Sequence, residues 1–461
     1  MKFLFFTPLL FCFFYPFTSP ANLKQPEEVE EKILRHIDEN LLPYGLPFLK
    51  QTVEINSGTG NKMGVQQVAE LYQSRLKALN FKTSWVNLEA INRGPHLFAE
   101  HQGSQQGPRI LIIGHSDTVF EQDSPFQKYE ALENSQVRGP GAYDMKGGNL
   151  VFLQALEALH QVGELEKMNV IVAIMSDEER PGEDADGTFT TTRKDLIDAA
   201  KRSDIALNFE LASESINLGT IALRGISEWQ LKVVSKGGHS SQIFTKKKGP
   251  GAIYPVSRIL ARFYDEVRGE RYLTFNAGRI SGGSAVERAA SEGKTVVQGK
   301  LNVIPTVAEV FGDLRYLTAK QLMRAKEKMR RIAEDELKRF RREYPSALDG
   351  EFVTVEITFK DLYPPVSPTP NNKRLLGFLS QISEQLDMGK LEPLDPSLRG
   401  TNDTAFVAPH VPACLAGLGP MGSGAHSVNE ILDVSSLPIA TKRAALLMRR
   451  LANNPQWKRP K

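Results

Sequence analysis

The chain has 461 residues, of which 41% are hydrophobic and 24% are charged, as in ordinary globular proteins. Its 57 basic and 54 acidic residues leave a formal net charge of only +3, which argues against a nucleic-acid-binding protein. Because a single hydrophobic core rarely grows beyond about 300 residues, we expect two domains.

The first 21 residues have the pattern of a secretory signal peptide. Lys2 supplies a positive charge, residues 3–17 form an apolar segment, and the small residue Ala21 favours cleavage after it. We therefore expect a secreted or periplasmic protein with no membrane association after cleavage. An uncleaved membrane anchor is the alternative.

The pattern that follows predicts alternating helices and strands. Helices are expected at residues 26–42, 63–79 and 148–159, and strands at residues 83–86, 97–100, 110–113 and 170–175. Strands separated by helices with short connections indicate an α/β layer with a mostly parallel sheet.

The pattern changes after about Leu223. Residues 227–234 alternate between apolar and polar, as an antiparallel strand does. Helices at residues 252–267 and 319–340 and strands at 273–280, 296–303, 308–314 and 353–359 complete this part. Elements of the first type resume after Tyr363, where Pro364-Pro365 makes a natural hinge. The sequence therefore predicts a catalytic α/β domain, residues 22–222 and 362–461, interrupted by a smaller α+β domain, residues 223–361.

Two predicted strands end in side chains that suit a metal ion. Residues 110–113 lead into His115 and Asp117, whose side chains point to the same side because they are two positions apart. Another apolar stretch ends in Glu210. Active sites of open α/β sheets assemble at the carboxyl ends of the strands, although the His-x-Asp pattern alone fits a structural role equally well.

Three consecutive acidic residues, Asp177, Glu178 and Glu179, follow the apolar stretch 170–175. A run of charges is usually a solvated surface, but this run stands at the end of a strand that has a buried pattern. Adjacent carboxylates there raise the pKa of one another unless a cation compensates them. A bound cation would explain the cluster.

Two glycine-rich segments carry further candidates. Asp144 lies in Arg138-Gly-Pro-Gly-Ala-Tyr-Asp144-Met-Lys-Gly-Gly148, directly before a predicted helix, and His426 lies in Gly417-Leu-Gly-Pro-Met-Gly-Ser-Gly-Ala-His426. A glycine-rich turn before a helix could bind phosphate. However, the first segment lacks the Gly-x-Gly-x-x-Gly and Gly-Lys-Ser/Thr patterns of nucleotide-binding loops.

Together these segments supply two histidines and at least three carboxylates. Zinc accepts both ligand types, and after signal cleavage Cys414 is the only cysteine, so thiolates cannot form the site. Five ligands exceed what one tetrahedral zinc with an open position uses, but they fit two ions that share a carboxylate and a water. The other histidines are predicted to be ordinary surface or core residues: His36, His96, His101, His160 and His410.

In order, the motifs His-x-Asp-Thr-Val, Gly-Pro-Gly-x-x-Asp-x-Lys-Gly-Gly, Asp-Glu-Glu, Phe-Glu and Gly-Ala-His-Ser resemble those of the di-zinc aminoacylase and carboxypeptidase family. The similarity is greatest to the branch of bacterial glutamate carboxypeptidases and extends over most of the chain after the signal. It implies a zinc-exopeptidase-like catalytic domain, an inserted lid or dimerisation domain, and a homodimer.

The resemblance also implies two Zn²⁺ ions per subunit, with Co²⁺ or Mn²⁺ as other possible ions. Asp144 would bridge them, His115 and Glu210 would complete one site, and Glu179 and His426 would complete the other. Such paired cations lower the pKa of a shared water, so that hydroxide exists near neutral pH.

Further roles follow from the same resemblance. Glu178 would be the general base, and Asp117 would orient His115. The family's Gly-Gly-His-Ser pattern appears here at residues 237–240, which implies that His239 reaches the active site and stabilises the oxyanion. In some relatives this histidine reaches the active site of the partner subunit. An ordinary polar residue at a strand end is the alternative for His239.

For the substrate, Arg315 occupies the position of a carboxylate-binding arginine in relatives, and Asn302 would assist it. Arg399 precedes Gly400-Thr401-Asn402-Asp403, which resembles the substrate-binding loop of the family, but relatives commonly have a glycine there. Arg399 is therefore either a second residue that binds the substrate carboxylate or a surface charge.

The expected function is zinc-dependent release of a C-terminal amino acid, with glutamate as one candidate, from small peptides or N-acyl amino acids. An aminopeptidase or N-deacylase using the same site is the alternative within the enzymes. A metal-binding relative without turnover is a further alternative, although it would be expected to have lost Glu178.

Overall fold

The computed structural model describes residues 26–212, 215–288, 294–344 and 353–459. The predicted signal peptide, residues 1–21, lies outside these ranges. No helix within them combines the length and the apolar character that crossing a bilayer requires.

The helices are α1 (Glu28–Asn40), α2 (Leu46–Val53), α3 (Lys62–Ala78), α4 (Gly147–Gln161), α5 (Thr190–Lys201), α6 (Ile253–Glu266), α7 (Ala319–Glu343), α8 (Pro370–Gln385), α9 (Thr404–Val407) and α10 (Ser436–Ala452). The strands in the first half of the chain are β1 (Lys82–Val86), β2 (His96–His101), β3 (Arg109–His115), β4 (Glu130–Leu132), β5 (Gln136–Arg138), β6 (Asn169–Met175), β7 (Ile205–Asn208), β8 (Leu218–Gly219) and β9 (Gly225–Ser235). The remaining strands are β10 (Thr274–Gly283), β11 (Ala285–Arg288), β12 (Thr295–Gln298), β13 (Val307–Tyr316), β14 (Val353–Tyr363), β15 (Glu392–Pro393), β16 (Ala413–Leu415), β17 (Gly422–Ser423) and β18 (Ile431–Asp433).

The larger sheet has the strand order β1-β2-β6-β3-β7-β16. Strands β6, β3, β7 and β16 run parallel, whereas β2 runs antiparallel to both β1 and β6. Along β3, Ile110 and Ile112 pack into one core with α1, α4 and α10, while Leu111 and Ile113 pack into another with α5 and α9. Burial of both faces explains why this strand is an uninterrupted apolar run. The predicted α/β fold with a mostly parallel sheet is confirmed.

The second sheet is antiparallel in the order β10-β13-β9-β14, and it lies between β8 and α8 in the chain. Alternate residues of β9, such as Trp229 and Leu231, pack with α6 and α7 into a separate core. The strand predicted at residues 296–303 is wrong beyond Gln298, because the chain turns there and Val303 N donates to Lys300 O at 3.0 Å.

A small sheet of short strands, β17-β18-β5-β4, joins the two glycine-rich segments. Ile431 of β18 pairs with Arg138 of β5, just before the Gly-Pro-Gly turn. This pairing places the loop of His426 against the segment that contains Asp144.

Candidate metal centre

Three neighbouring strands of the larger sheet deliver candidate ligands at their carboxyl ends. His115 is the last residue of β3, Glu179 follows β6, and Glu210 follows β7. Because β6, β3 and β7 are parallel and adjacent, these side chains meet at one edge of the sheet.

The five predicted ligands come together in two groups that share Asp144. His115 Nε2 lies 3.5 Å from Asp144 Oδ1 and 3.4 Å from Glu210 Oε1. His426 Nε2 lies 3.2 Å from Asp144 Oδ2 and 3.1 Å from Glu179 Oε2. Within each group the ligand atoms lie within 4.8 Å of one another. The two oxygens of Asp144 therefore face different groups, as a bridging carboxylate requires.

The donor chemistry fits two divalent ions. Among the described residues, His115 Nε2 and Glu179 Oε1 are buried and have no hydrogen-bond partner. Each offers a free lone pair to an ion when His115 Nε2 carries no proton and Glu179 is ionised. Burial, together with the nearby charge of Asp144, raises the pKa of Glu179 to about 8. A cation between these groups would relieve that repulsion.

The two histidines occupy different surroundings. Burial alone would lower the pKa of His115, but Asp117, Asp144 and Glu210 outweigh it and hold the pKa well above its usual range. Hydrogen bonds that the His426 ring donates to Asp144 and Glu179 raise the pKa of His426 to about 11, although its side chain is 57% exposed. Both sites attract positive charge, and the His426 site is the one that faces solvent.

Asp117 connects the ends of β3 and β6. Its Oδ1 accepts from the backbone N–H of Glu178 at 3.1 Å, and its Oδ2 accepts from Glu179 N at 3.1 Å and from Thr59 Oγ1 at 2.7 Å. His115 Nδ1 lies 3.3 Å from Asp117 Oδ1 and 3.0 Å from the Asp117 carbonyl oxygen. Asp117 is therefore positioned both to orient His115 and to hold the loop of the predicted base.

The sequence reasoning missed Arg193 on α5. This side chain is fully buried; its Nη1 donates to Asp177 Oδ1 and its Nε donates to Asp403 Oδ1, each at 2.6 Å. Asp177 of the acidic triplet therefore pairs with an arginine instead of facing the candidate ligands. The ion pairs connect the loop of Glu178 with the loop at Asp403. Helix α5 has few apolar residues, so the sequence gives no indication that Arg193 is buried.

Three predicted site residues lie on the inserted domain. His239 is exposed, with Nδ1 2.8 Å from Ser241 Oγ, and the carbonyl of Asn302 accepts from Ser240 N at 2.9 Å. Arg315 Nε donates to Asp313 Oδ2 at 2.7 Å. Within the described part of the chain, none of the contacts of His239, Asn302 or Arg315 reaches the two ligand groups.

Arg399 is not a surface charge, since only 7% of its side chain is exposed. Its Nη1 donates to the carbonyl of Leu211 at 2.7 Å, and its Nη2 lies 3.6 Å from Glu210 Oε2. The guanidinium therefore contacts a candidate metal ligand.

The sequence pattern of Peptidase family M20/M25/M40 matches residues 111–450, a range that contains all five candidate ligands. The chain belongs to peptidase family M20/M25/M40. Carboxypeptidase G2 from Pseudomonas sp. (strain RS-16) is 24% identical to this M20 chain over 416 residues, covering 88% of the chain and 89% of that protein. Succinyl-diaminopimelate desuccinylase from Nitrosospira multiformis is 25% identical over 392 residues, covering 80% and 88% respectively.

Solved M20-like structures share the fold. A tripeptidase from Staphylococcus aureus superimposes with a TM-score of 0.68 at 16% identity, over 92% of this chain and 99% of that one. A dinuclear metal-binding peptidase of family M20 from Bacillus subtilis superimposes with a TM-score of 0.60 at 14% identity, over 92% and 99%. The predicted family, the inserted domain and the enzyme class, a metallo-exopeptidase or amidohydrolase, are thereby confirmed.

Proposed function

We propose that this M20 metallohydrolase is a di-zinc carboxypeptidase-type enzyme. It releases a C-terminal amino acid, with glutamate as one candidate, from small peptides or N-acyl amino acids. The observation that carries the proposal is the arrangement around Asp144, whose two oxygens face two separate sets of ligands. The likeness to carboxypeptidase G2 supports the direction of cleavage.

In this proposal His115, Asp144 and Glu210 hold one Zn²⁺, and Asp144, Glu179 and His426 hold the other. The same nitrogen and oxygen donors accept Co²⁺ or Mn²⁺. When bound, paired ions lower the pKa of water and polarise the carbonyl group that is attacked.

Glu178 acts as the general base. It takes a proton from the attacking water and delivers that proton to the nitrogen of the leaving amino acid. Burial and the negative charge of Glu210 raise the pKa of Glu178 well above its usual range, which strengthens it as a base. Asp117 holds the backbone of Glu178 in place at 3.1 Å.

His239 donates a hydrogen bond to the oxyanion, which contributes about 3 kcal/mol in comparable sites. Since its ring is exposed on the inserted domain, it reaches a site by closure of that domain or by serving the partner subunit. We propose a homodimer through the inserted domain. The sheet edge at β10 and the β11–β12 hairpin expose several apolar side chains: Ile280, Val296, Val297 and Leu301. Sedimentation at several protein concentrations tests this assembly.

Arg315 binds the carboxylate of the substrate, and Asn302 assists it. Its guanidinium lies on the strand face that also carries Asp313 and remains one-third exposed, so a carboxylate can replace Asp313 as its partner. Arg399 fits this role less well, because the carbonyl of Leu211 and Glu210 already surround it.

The test is hydrolysis of N-acyl amino acids and dipeptides by protein of known zinc content. Glu178→Ala is expected to lower kcat by about 10²–10⁴-fold while zinc content stays the same. Unchanged turnover in this variant contradicts the mechanism. Bound zinc without hydrolysis of any such substrate indicates a non-catalytic relative.

The similarity to succinyl-diaminopimelate desuccinylase supports a second candidate function, an N-deacylase. The fold that the chain shares with a tripeptidase is also compatible with an aminopeptidase. Peptides with a blocked N-terminus separate these functions. A carboxypeptidase or deacylase cleaves them, whereas an aminopeptidase needs the free amine. Comparing N-succinyl amino acids with blocked peptides then distinguishes the first two.

We also propose that the protein is exported, on the strength of the charged and apolar pattern at residues 2–17. N-terminal sequencing of the secreted or periplasmic fraction tests cleavage after Ala21.

A further inference from the structure

The buried guanidinium of Arg399 lies against one oxygen of a candidate metal ligand. Arg399 Nη2 is 3.6 Å from Glu210 Oε2, and the two side chains are only 7% and 6% exposed. The other oxygen, Glu210 Oε1, lies 3.4 Å from His115 Nε2. The two oxygens of Glu210 therefore face different partners, one an arginine and the other the ligand group.

Arg399 is held firmly in this position. Its Nη1 donates to the carbonyl of Leu211 at 2.7 Å and to Thr220 Oγ1 at 3.4 Å. Gly417, in the left-handed region at φ +73°, lies close beside it, since a Cβ at Gly417 would be 2.9 Å from Arg399 Nη1. Because Leu211 follows Glu210 directly, the guanidinium is fixed relative to the ligand itself.

The equivalent glutamate of the other group has no such neighbour among its described contacts. Glu179 Oε2 lies 3.1 Å from His426 Nε2, and Glu179 Oε1 is buried without a hydrogen-bond partner in the described part of the chain. Glu179 thus has no arginine against either of its oxygens in the described contacts, whereas one oxygen of Glu210 faces the guanidinium of Arg399.

We infer that Arg399 restricts Glu210 to ligation through one oxygen and makes the ion at His115 the more weakly bound of the two. The inference rests on the proposed dinuclear centre. Arginine is always protonated, so its charge competes with the ion for Glu210 and repels it across a short, poorly solvated distance. Arg399 is a positioning residue here, because it acts through Glu210.

The test is titration of metal-free protein with Zn²⁺ alone, followed by calorimetry and by competition with a chromophoric chelator. The wild-type protein is expected to bind zinc in two distinguishable steps. Arg399→Gln removes the charge but keeps an N–H donor near Leu211. It is expected to tighten the weaker step by about 10-fold, because a positive charge beside the ion is removed, and to leave the stronger step unchanged.

The same change in a His426→Ala background assigns the step, because that background retains only the group at His115. Arg399→Gln is expected to tighten this single site by a similar factor, about 10-fold, for the same electrostatic reason. Arg399→Lys keeps the positive charge and serves as the matched control, with affinities close to those of the wild type.

Weaker zinc binding in Arg399→Gln shows that Arg399 supports Glu210 as a ligand, and the inference is then wrong. It is equally wrong if both steps change together or neither changes. If Arg399→Gln does not fold, Thr220→Val loosens the arginine without removing it and must shift the same step in the same direction. Wild-type protein that binds no zinc contradicts the proposed function itself, which separates the two failures.

Discussion

The carboxylate of Glu430 accepts a hydrogen bond from the backbone N–H of Asp144 at 3.0 Å, although 286 positions separate the two residues. The same oxygen, Oε1, accepts from the N–H of Tyr143 at 2.9 Å, and Glu430 is buried. Since Glu430 belongs to the loop that carries His426, this contact ties one ligand of the second ion to the backbone of the shared ligand.

Glu430→Ala is therefore expected to weaken zinc binding by about 10–100-fold, because Asp144 loses its backbone anchor. Two buried N–H groups also lose their acceptor, which lowers the free energy of unfolding by about 3 kcal/mol. Calorimetric zinc titration and urea unfolding measure the two effects. The exposed neighbour offers the control Asn429→Ala, and equal behaviour of the two variants argues against an anchoring role.

Zinc content distinguishes the two ligand groups. His115→Ala and His426→Ala are each expected to lower the bound zinc from two ions to about one per chain, because each removes one nitrogen ligand from one group. Elemental analysis after gel filtration gives the count. A variant that still retains both ions shows that its histidine is not a ligand.

Arg193→Met is expected to lower the free energy of unfolding by about 3–5 kcal/mol, because Asp177 and Asp403 would remain as buried carboxylates without their partner. Urea unfolding followed by fluorescence measures this loss. The adjacent Lys194 pairs with Asp198 at 3.6 Å but is 69% exposed. Its control variant, Lys194→Met, is expected to cost less than about 1 kcal/mol. Similar losses in both variants contradict the importance of burial.

An acid-dependent part of the stability is expected from Glu30, which joins α1 to α10. Its Oε1 accepts from Arg450 Nε at 2.7 Å and from Arg449 Nη1 at 3.0 Å. Burial alone would raise the pKa of Glu30, but Arg450 and Arg449 outweigh it and lower the pKa. The stabilisation is therefore fully present above the unfolded pKa of about 4.3 and is lost as the pH falls through the lower folded pKa.

Glu30→Gln should consequently destabilise the protein by about 3 kcal/mol at neutral pH and by much less in acid below the folded pKa. Urea unfolding of both proteins at a series of pH values measures the difference. Glu31→Gln, one residue away on the exposed side of α1, is the control. A difference between Glu30→Gln and wild type that does not change with pH excludes this electrostatic origin.

The candidate ligands were predictable from sequence because their placement follows local geometry and a general rule of topology. An apolar run long enough for a buried strand, followed by His115 or Glu210, puts that side chain at the carboxyl end of the strand. Parallel strands bring such ends together at one edge. The strand predicted at residues 296–303 was too long, because a composition typical of strands does not specify that the chain turns after Gln298.

The sequence by itself determined the parallel sheet, the inserted domain and the residue types that gather at its edge, because these depend on periodicity and on neighbouring positions. Only the tertiary structure decided that Asp144 presents its two oxygens to different histidines, that Glu430 anchors it, and that Arg399 faces Glu210. Those relationships join segments far apart in the chain. They require the loops to be placed to within about 1 Å. Local sequence patterns do not specify distances between residues that are so far apart in the chain.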